Sequence, residues 1–366
     1  MNTAPFPVRT LWPNPDGHSV NVIDQTALPH VFRIARLTTL EEAAYAIRSM
    51  QVRGAPLIGV TAAYGLALAL RQQSGGDTLE NASALLEATR PTAVNLHWAL
   101  ARMRARLLPL PANRRADAAW EEAGRIAEED VEQCRRIGEY GLALLEPIAG
   151  RKSGRLEIMT HCNAGGLAAL NHGTAIAPVY AAFRAGIDVH VWVSETRPRN
   201  QGLLTAWELR QHGVPNTFIA DNAAGLLLSR GQVDAVIVGA DRVAANGDVA
   251  NKIGTCLKAL AAREAGVPFF VAAPRSTFDF SRAAGADIPI EERSGDELRL
   301  LHGLDEKDAG KMAGKAVRQL PSCQAVFNPA FDITLARLVT AFITERGACA
   351  ATAESLLSLY PEERNA

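Results

Sequence analysis

Apolar residues along this chain fall into two rhythms. From about Leu37 to Leu145 they recur at helical spacing among Ala, Leu, Glu and Arg. This predicts helices over Leu40–Met50, Pro56–Arg71, Asn95–Leu107 and Ala116–Leu145. Thr38 and Thr39 followed by Glu41 and Glu42 form a start signal for the first. Ser74, Gly75 and Gly76 make Gln72–Asp77 a loop. A few short strands are expected between Val20 and Ile34.

Downstream, short and mainly apolar runs predict strands at Leu156–Thr160, Val189–Val193, Thr217–Ala220, Ala235–Val238, Phe269–Ala272 and Ala325–Phe327. Helix-length stretches mostly separate them: Leu167–Ala185, Thr205–Gln211, Ala223–Arg230 and Lys252–Ala265. Buried runs alternating with helices indicate a parallel sheet covered on both faces. Gly150–Gly154 marks a boundary. The expected fold is α/β, with a mainly helical N-terminal domain (1–150) and a parallel-sheet C-terminal domain (151–366).

Composition narrows the partners. Over 366 residues the formal net charge is -1, which argues against nucleic acid or an anionic membrane as a bulk electrostatic partner. Pro5, Pro7, Pro13 and Pro15 interrupt the N-terminus where a secretory signal would need an apolar run, and no uncharged apolar stretch reaches the ~20 residues that span a bilayer. Five scattered cysteines suit a reducing compartment. A cytoplasmic protein is expected.

Chemistry concentrates after the predicted strands. His161-Cys162-Asn163-Ala164-Gly165-Gly166 follows the first, Ser194-Glu195-Thr196-Arg197-Pro198-Arg199 the second, and Asp221-Asn222 the third. Gly239-Ala240-Asp241-Arg242 follows the fourth, Pro274-Arg275-Ser276-Thr277 the fifth, and Asn328-Pro329-Ala330-Phe331-Asp332 the last. Ligands of open α/β sheets bind outside the carboxyl ends of the strands, where these segments converge.

Cys162 by itself would read as a small core residue. Beside Gly165-Gly166 it is expected near a helix N-terminus, which lowers a thiol pKa. His161, its neighbour in an extended chain, points the other way and reads as structural. Asp241, at the mouth of an apolar strand, is a turn former or a partly desolvated general acid, depending on whether Arg242 pairs with it. Asn251 is expected to cap a helix with Lys252 in its first turn, a conflict with the helix dipole that a bound phosphate would relieve. Arg53-Gly54-Ala55-Pro56 sets a guanidinium beside exposed amides, and Arg90 precedes Pro91 in an extended loop. No His-x-x-x-His, Cys-x-x-Cys or calcium-loop spacing occurs, and Gly165-Gly166 lacks the third glycine of a dinucleotide fingerprint. No metal and no cofactor are expected.

Arg53-Gly54-Ala55-Pro56, Arg90-Pro91-Thr92-Ala93-Val94-Asn95-Leu96, Thr160-His161-Cys162-Asn163, Glu195-Thr196-Arg197-Pro198, Gly239-Ala240-Asp241-Arg242, Asn251-Lys252-Ile253-Gly254-Thr255 and Asn328-Pro329-Ala330-Phe331-Asp332 resemble the signatures of the methylthioribose-1-phosphate isomerase family, in order from about Arg53 to Thr334. That family is similar in fold to the regulatory subunits of initiation factor 2B and to archaeal ribose-1,5-bisphosphate isomerases. The resemblance implies a Rossmann-like C-terminal domain, a homodimer, a sugar phosphate substrate and a role in methionine salvage. It implies Cys162 and Asp241 as the catalytic pair, and Arg53, Gly54, Ala55, Arg90, Gln201, Asn251 and Lys252 as substrate-binding residues. Ser194, where the family has Asp, a segment Gln201–Thr205 one residue shorter, and Leu335 in place of Pro depart from the pattern. The shorter segment, near Gln201, leaves 5-deoxyribose 1-phosphate as an alternative substrate; the wider family leaves ribose 1,5-bisphosphate as another, and a non-catalytic regulatory protein as the alternative of another class.

Overall fold

The computed structural model describes residues 9–365 except 74, 76 and 305–313. Ser74 and Gly76 of the expected loop, and residues 1–8, lie outside the described residues. A small antiparallel sheet opens the fold: β1 (Leu11–Pro13), β2 (Val20–Ile23) and β3 (Ile34–Leu37). Helices α1 (Leu40–Arg48), α2 (Ala55–Gln72), α3 (Thr78–Glu87), α4 (Val94–Leu107) and α5 (Ala112–Ala149) follow. Thr39 caps α1 in a reciprocal box with Glu42. Buried from Leu57 to Leu70, α2 is apolar on every side because α1, α3, α4 and α5 surround it.

The long α5 serves two cores. Its Ala119, Ala123 and Ile126 pack with the helices, whereas Ile137 and Leu145 pack beneath the large sheet. The close approach of the next helix needs Gly141, since a Cβ there would lie 2.3 Å from Pro178.

After α5 the chain alternates: β4 (Leu156–Thr160), α6 (Ala177–Arg184), β5 (Val189–Ser194), α7 (Gly202–Gln211), β6 (Asn216–Ile219), α8 (Ala223–Ser229) and β7 (Ala235–Val238). Then come β8 (Arg242–Ala244), β9 (Val249–Lys252), α9 (Thr255–Glu264), β10 (Phe269–Ala272), β11 (Phe278–Asp279), α10 (Asp296–Arg299), β12 (Leu300–Leu304), β13 (Gly314–Arg318), β14 (Phe331–Thr334), β15 (Ala341–Thr344), β16 (Gly347–Cys349) and α11 (Ala353–Leu359). The large sheet has the order β16-β15-β10-β7-β4-β5-β6, parallel except for β16. Alternate residues of each strand enter opposite cores: Ile158 and Ile237 on one face, Met159, Val236 and Val238 on the other. The fold is mixed α/β with a parallel sheet. From β4 the chain winds outward to β6, then crosses back to β7 and winds the other way. The carboxyl ends of the neighbours β4 and β7 therefore flank a topological switch point.

Three expected elements differ. Ala325–Phe327 is no strand, because nothing covers it and Phe327 is 74% exposed; the last parallel strand is β15. Asn328–Asp332 accordingly does not follow a strand of the large sheet but enters β14, which pairs with β9. Of Leu167–Ala185 only α6 is α-helical, since His172 and Gly173 adopt left-handed backbone upstream of it. Helix α9 begins at Thr255 after left-handed Gly254, so Asn251 and Lys252 lie on β9 and not at a helix start.

No helix among the described residues is long and apolar enough to cross a membrane. Asp130 of α5 is buried, and its Oδ2 accepts the Leu170 N–H at 2.9 Å. Burial pushes its carboxyl up to about 7. A carboxyl raised on folding favours the native state below its unfolded pKa, and that advantage is lost as pH climbs through about 7. Asp130→Asn is therefore expected to stabilise the protein near pH 8 by about 2 kcal/mol, with the gain gone near pH 4. Denaturant unfolding at both pH values checks this; an equal effect at both would refute it.

Candidate active site

One cavity of about 110 Å³ opens at the switch point. Arg53, Gly54, Ala55, Arg90, Cys162, Gln201, Asp241, Asn251 and Lys252 all line it. Gly54 starts α2 with φ +100 and packs on Ala168, where a Cβ would lie 2.4 Å from the Ala168 backbone. This contact brings Arg53 and Ala55 against the loop after β4. Arg90 is held from the sheet side. Arg242 donates to Thr92 O at 2.8 Å and to Asp279 at 3.1 Å, pinning the loop that carries Arg90. Arg242 therefore does not pair with Asp241.

Cys162 has φ +66, a left-handed conformation that a residue with a side chain adopts only when its surroundings enforce it. Two threonines do so. Cys162 N–H donates to Thr196 Oγ1 at 2.8 Å, and Thr205 Oγ1 donates to Cys162 O at 2.8 Å. The Glu195-Thr196-Arg197 segment is itself anchored: Asp221 accepts the Thr196 and Arg197 N–H groups and the Ser194 hydroxyl. Ser194 thus sits in the tether, away from the cavity lining.

The electrostatics are set by burial against cations. Burial pushes the Cys162 thiol up, opposed by Arg53 and Lys252. No α-helix begins at Gly165-Gly166, only a short 3-10 turn, so the expected lowering by a helix N-terminus is absent. Burial also raises the Asp241 carboxyl, opposed by Lys252, Arg90 and Arg53. Lys252 is lowered by burial and supported by Cys162 and Asp241. Its Nζ donates to Ala330 O at 2.9 Å and lies 4.4 Å from the centre of the Phe331 ring. Asn251 Nδ2 donates to Thr255 Oγ1 at 3.0 Å. His161 also borders the cavity; its buried ring sets Nε2 against Ile253 O at 2.8 Å, and burial holds its pKa well below the usual range.

Sequence reasoning missed several wall residues. Arg199 and Arg293 line the cavity and converge on Glu297, at 3.0 and 2.9 Å. Met50 lies 3.9 Å from Arg293. Arg199 belongs to a quoted motif, but the chain between β11 and β14 that supplies Arg293 has no regular pattern to place it. Inside the chain, Gln201 Oε1 and Arg90 Nε are buried without hydrogen-bond partners. Such orphaned groups are satisfied when a polar ligand occupies a site.

A cavity of this charge pattern, at a switch point, is that of an α/β protein taking a small anionic ligand. The chain belongs to the initiation factor 2 subunit family, whose model matches residues 51–351. It is 63% identical over 363 residues to the methylthioribose-1-phosphate isomerase of Dechloromonas aromatica (strain RCB), covering 99% of each chain. The structure resembles 5-methylthioribose 1-phosphate isomerase from Pyrococcus horikoshii OT3 with a TM-score of 0.82 and 40% identity, over 97% of this chain and 96% of that one. It also resembles the translation initiation factor eIF-2B subunit delta from A. fulgidus, with a TM-score of 0.79 and 37% identity over 97% and 99% of the two chains.

Proposed function

We propose that this protein is an aldose–ketose isomerase converting 5-methylthioribose 1-phosphate into 5-methylthioribulose 1-phosphate, a step of methionine salvage. The observation that carries the reading is the shared cavity of Cys162 and Asp241, reached from the ends of adjacent strands and ringed by Arg53, Arg90 and Lys252. Full-length likeness to named isomerases supports it.

Phosphate on the anomeric oxygen blocks simple opening to an aldehyde. In the reading advanced here, Asp241 protonates the ring oxygen as its bond to C1 breaks. Hydrogen then moves from C2 to the C1 cation on the side facing Cys162, either as a hydride or as a proton that Cys162 takes and returns, while the C2 hydroxyl passes its proton to the Asp241 carboxylate and C2 becomes the ketone. Arg53, Arg90 and Lys252 hold the phosphate, and Gly54, Ala55, Gln201 and Asn251 complete the binding wall. A secluded cavity would suppress loss of phosphate from the opened intermediate. The family resemblance also supports a cytoplasmic homodimer and the division of the chain into residues 1–150 and 151–366.

Purified protein is expected to isomerise methylthioribose 1-phosphate with a kcat/KM at least about tenfold above that for ribose 1,5-bisphosphate, whose second phosphate needs further free cations. No turnover, or the reverse preference, would refute the assignment. Running the reaction in heavy water tests the route for hydrogen: substantial deuterium at C1 marks proton transfer and rules out a purely internal hydride shift.

A further inference from the structure

We infer that Glu208, which lies outside the cavity, is a positioning residue for substrate binding. Its carboxylate decides which way round the Asn163 amide sits, and so holds Arg53 aimed at the phosphate. The inference rests on the isomerase reading for its substrate, and on geometry for the rest.

Glu208 lies on α7 and is 1% exposed. Its Oε1 accepts Asn163 Nδ2 at 2.5 Å, and its Oε2 accepts the Leu167 N–H at 3.2 Å. The Gly166 N–H also acts on it. Packing is tight, since a Cβ on Gly165 would lie 2.4 Å from Oε2. Burial raises the Glu208 carboxyl to about 7 against these donors and Arg53. Above that pH, where the variants are to be assayed, it is ionised and acceptor-only and suits this ring of donors, whereas an amide of the same shape must turn an NH2 toward one of them. Asn163 Nδ2 is thereby committed to Glu208 and to Thr205 Oγ1, at 3.1 Å. That leaves Asn163 Oδ1 to accept Arg53 Nη1 at 3.0 Å, while the Asn163 carbonyl accepts Nη2 at 2.8 Å. A flipped amide would set NH2 against guanidinium. The polarity therefore runs one way, from Glu208 through Asn163 to Arg53. Among charged and titratable groups, Arg53 acts on Glu208 from the start of α2, and Glu208 acts on Tyr180 of α6.

Glu208→Gln keeps the volume and breaks the polarity. It is expected to raise KM for methylthioribose 1-phosphate about tenfold, with kcat within about threefold of the parent. Adding Asn163→Asp moves the acceptor-only group one link along. The new carboxylate at 163 accepts both Arg53 and the amide introduced at 208, whose carbonyl still faces Leu167; it gives up the donation to Thr205 Oγ1, whose own hydrogen stays on Cys162 O. The pair is expected to bring KM back to within about threefold of the parent, a rescue that a merely space-filling role does not produce. An unchanged KM in Glu208→Gln, or a pair no better than the single variant, overturns the inference. Should the single variant prove insoluble, the pair decides: KM near the parent supports the role, and KM still about tenfold high refutes it. Calorimetric titration with inorganic phosphate reads the same effect without turnover. An inactive parent would therefore sink the isomerase assignment, while the phosphate Kd still decides the part played by Glu208.

Discussion

Replacing Cys162 with serine is expected to lower kcat about a thousandfold and leave the fold intact, the range in which positioned proton-transfer groups contribute. The fold survives because the left-handed backbone at 162 is held through its N–H and carbonyl, by Thr196 and Thr205, and not through the sulfur. A serine hydroxyl fills nearly the same space. What it lacks is the acidity of a thiol: burial raises Cys162, opposed by Arg53 and Lys252, yet a serine hydroxyl in the same place is a far weaker acid. Turnover and thermal unfolding measured on the same preparation check this. A folded variant retaining more than about a tenth of parental kcat would remove Cys162 from the chemistry.

Asp241→Asn is expected to cost about a hundredfold or more in kcat without raising KM. An amide cannot deliver a proton to the ring oxygen, so the chemical step suffers. Binding does not, because the substitution removes a negative charge from beside a phosphate. Were Asp241 only an anchor for Lys252 and Arg90, its loss would loosen them and raise KM; that outcome would refute the acid role. Stability gives an independent reading. Burial raises this carboxyl despite three facing cations. A raised carboxyl stabilises the fold below its unfolded pKa and loses that contribution as pH climbs through the folded value. At neutral pH it is a liability, so the asparagine variant should melt at a higher temperature than the parent, a trade of stability for function.

Cys162, Asp241 and the cations around them meet only through the fold, and the sequence announces them unevenly. The apolar runs of β7 and β10, and the mainly apolar β4 and β5, are legible because strands buried on both faces are rich in apolar residues. Helix α2 was legible because Gly54-Ala55-Pro56 starts it and an unbroken apolar pattern sustains it. The strand β15 was passed over in favour of Ala325–Phe327, since two short apolar runs differ only in what covers them. Lys252 was placed on a helix because Gly254, whose φ of +98 ends the strand and starts α9, reads in sequence as just another glycine.

Local order thus determined the periodic elements, the polar segments after the strands and the residue types at the site, because periodicity and turn chemistry act over a few residues. Tertiary structure alone decided the switch point between β4 and β7, the direction in which each pKa moves, and the chain of hydrogen bonds from Glu208 to Arg53. Burial and donor–acceptor polarity belong to neighbours in space, and here those neighbours, Arg53 and Asn163, lie 110 positions apart along the chain.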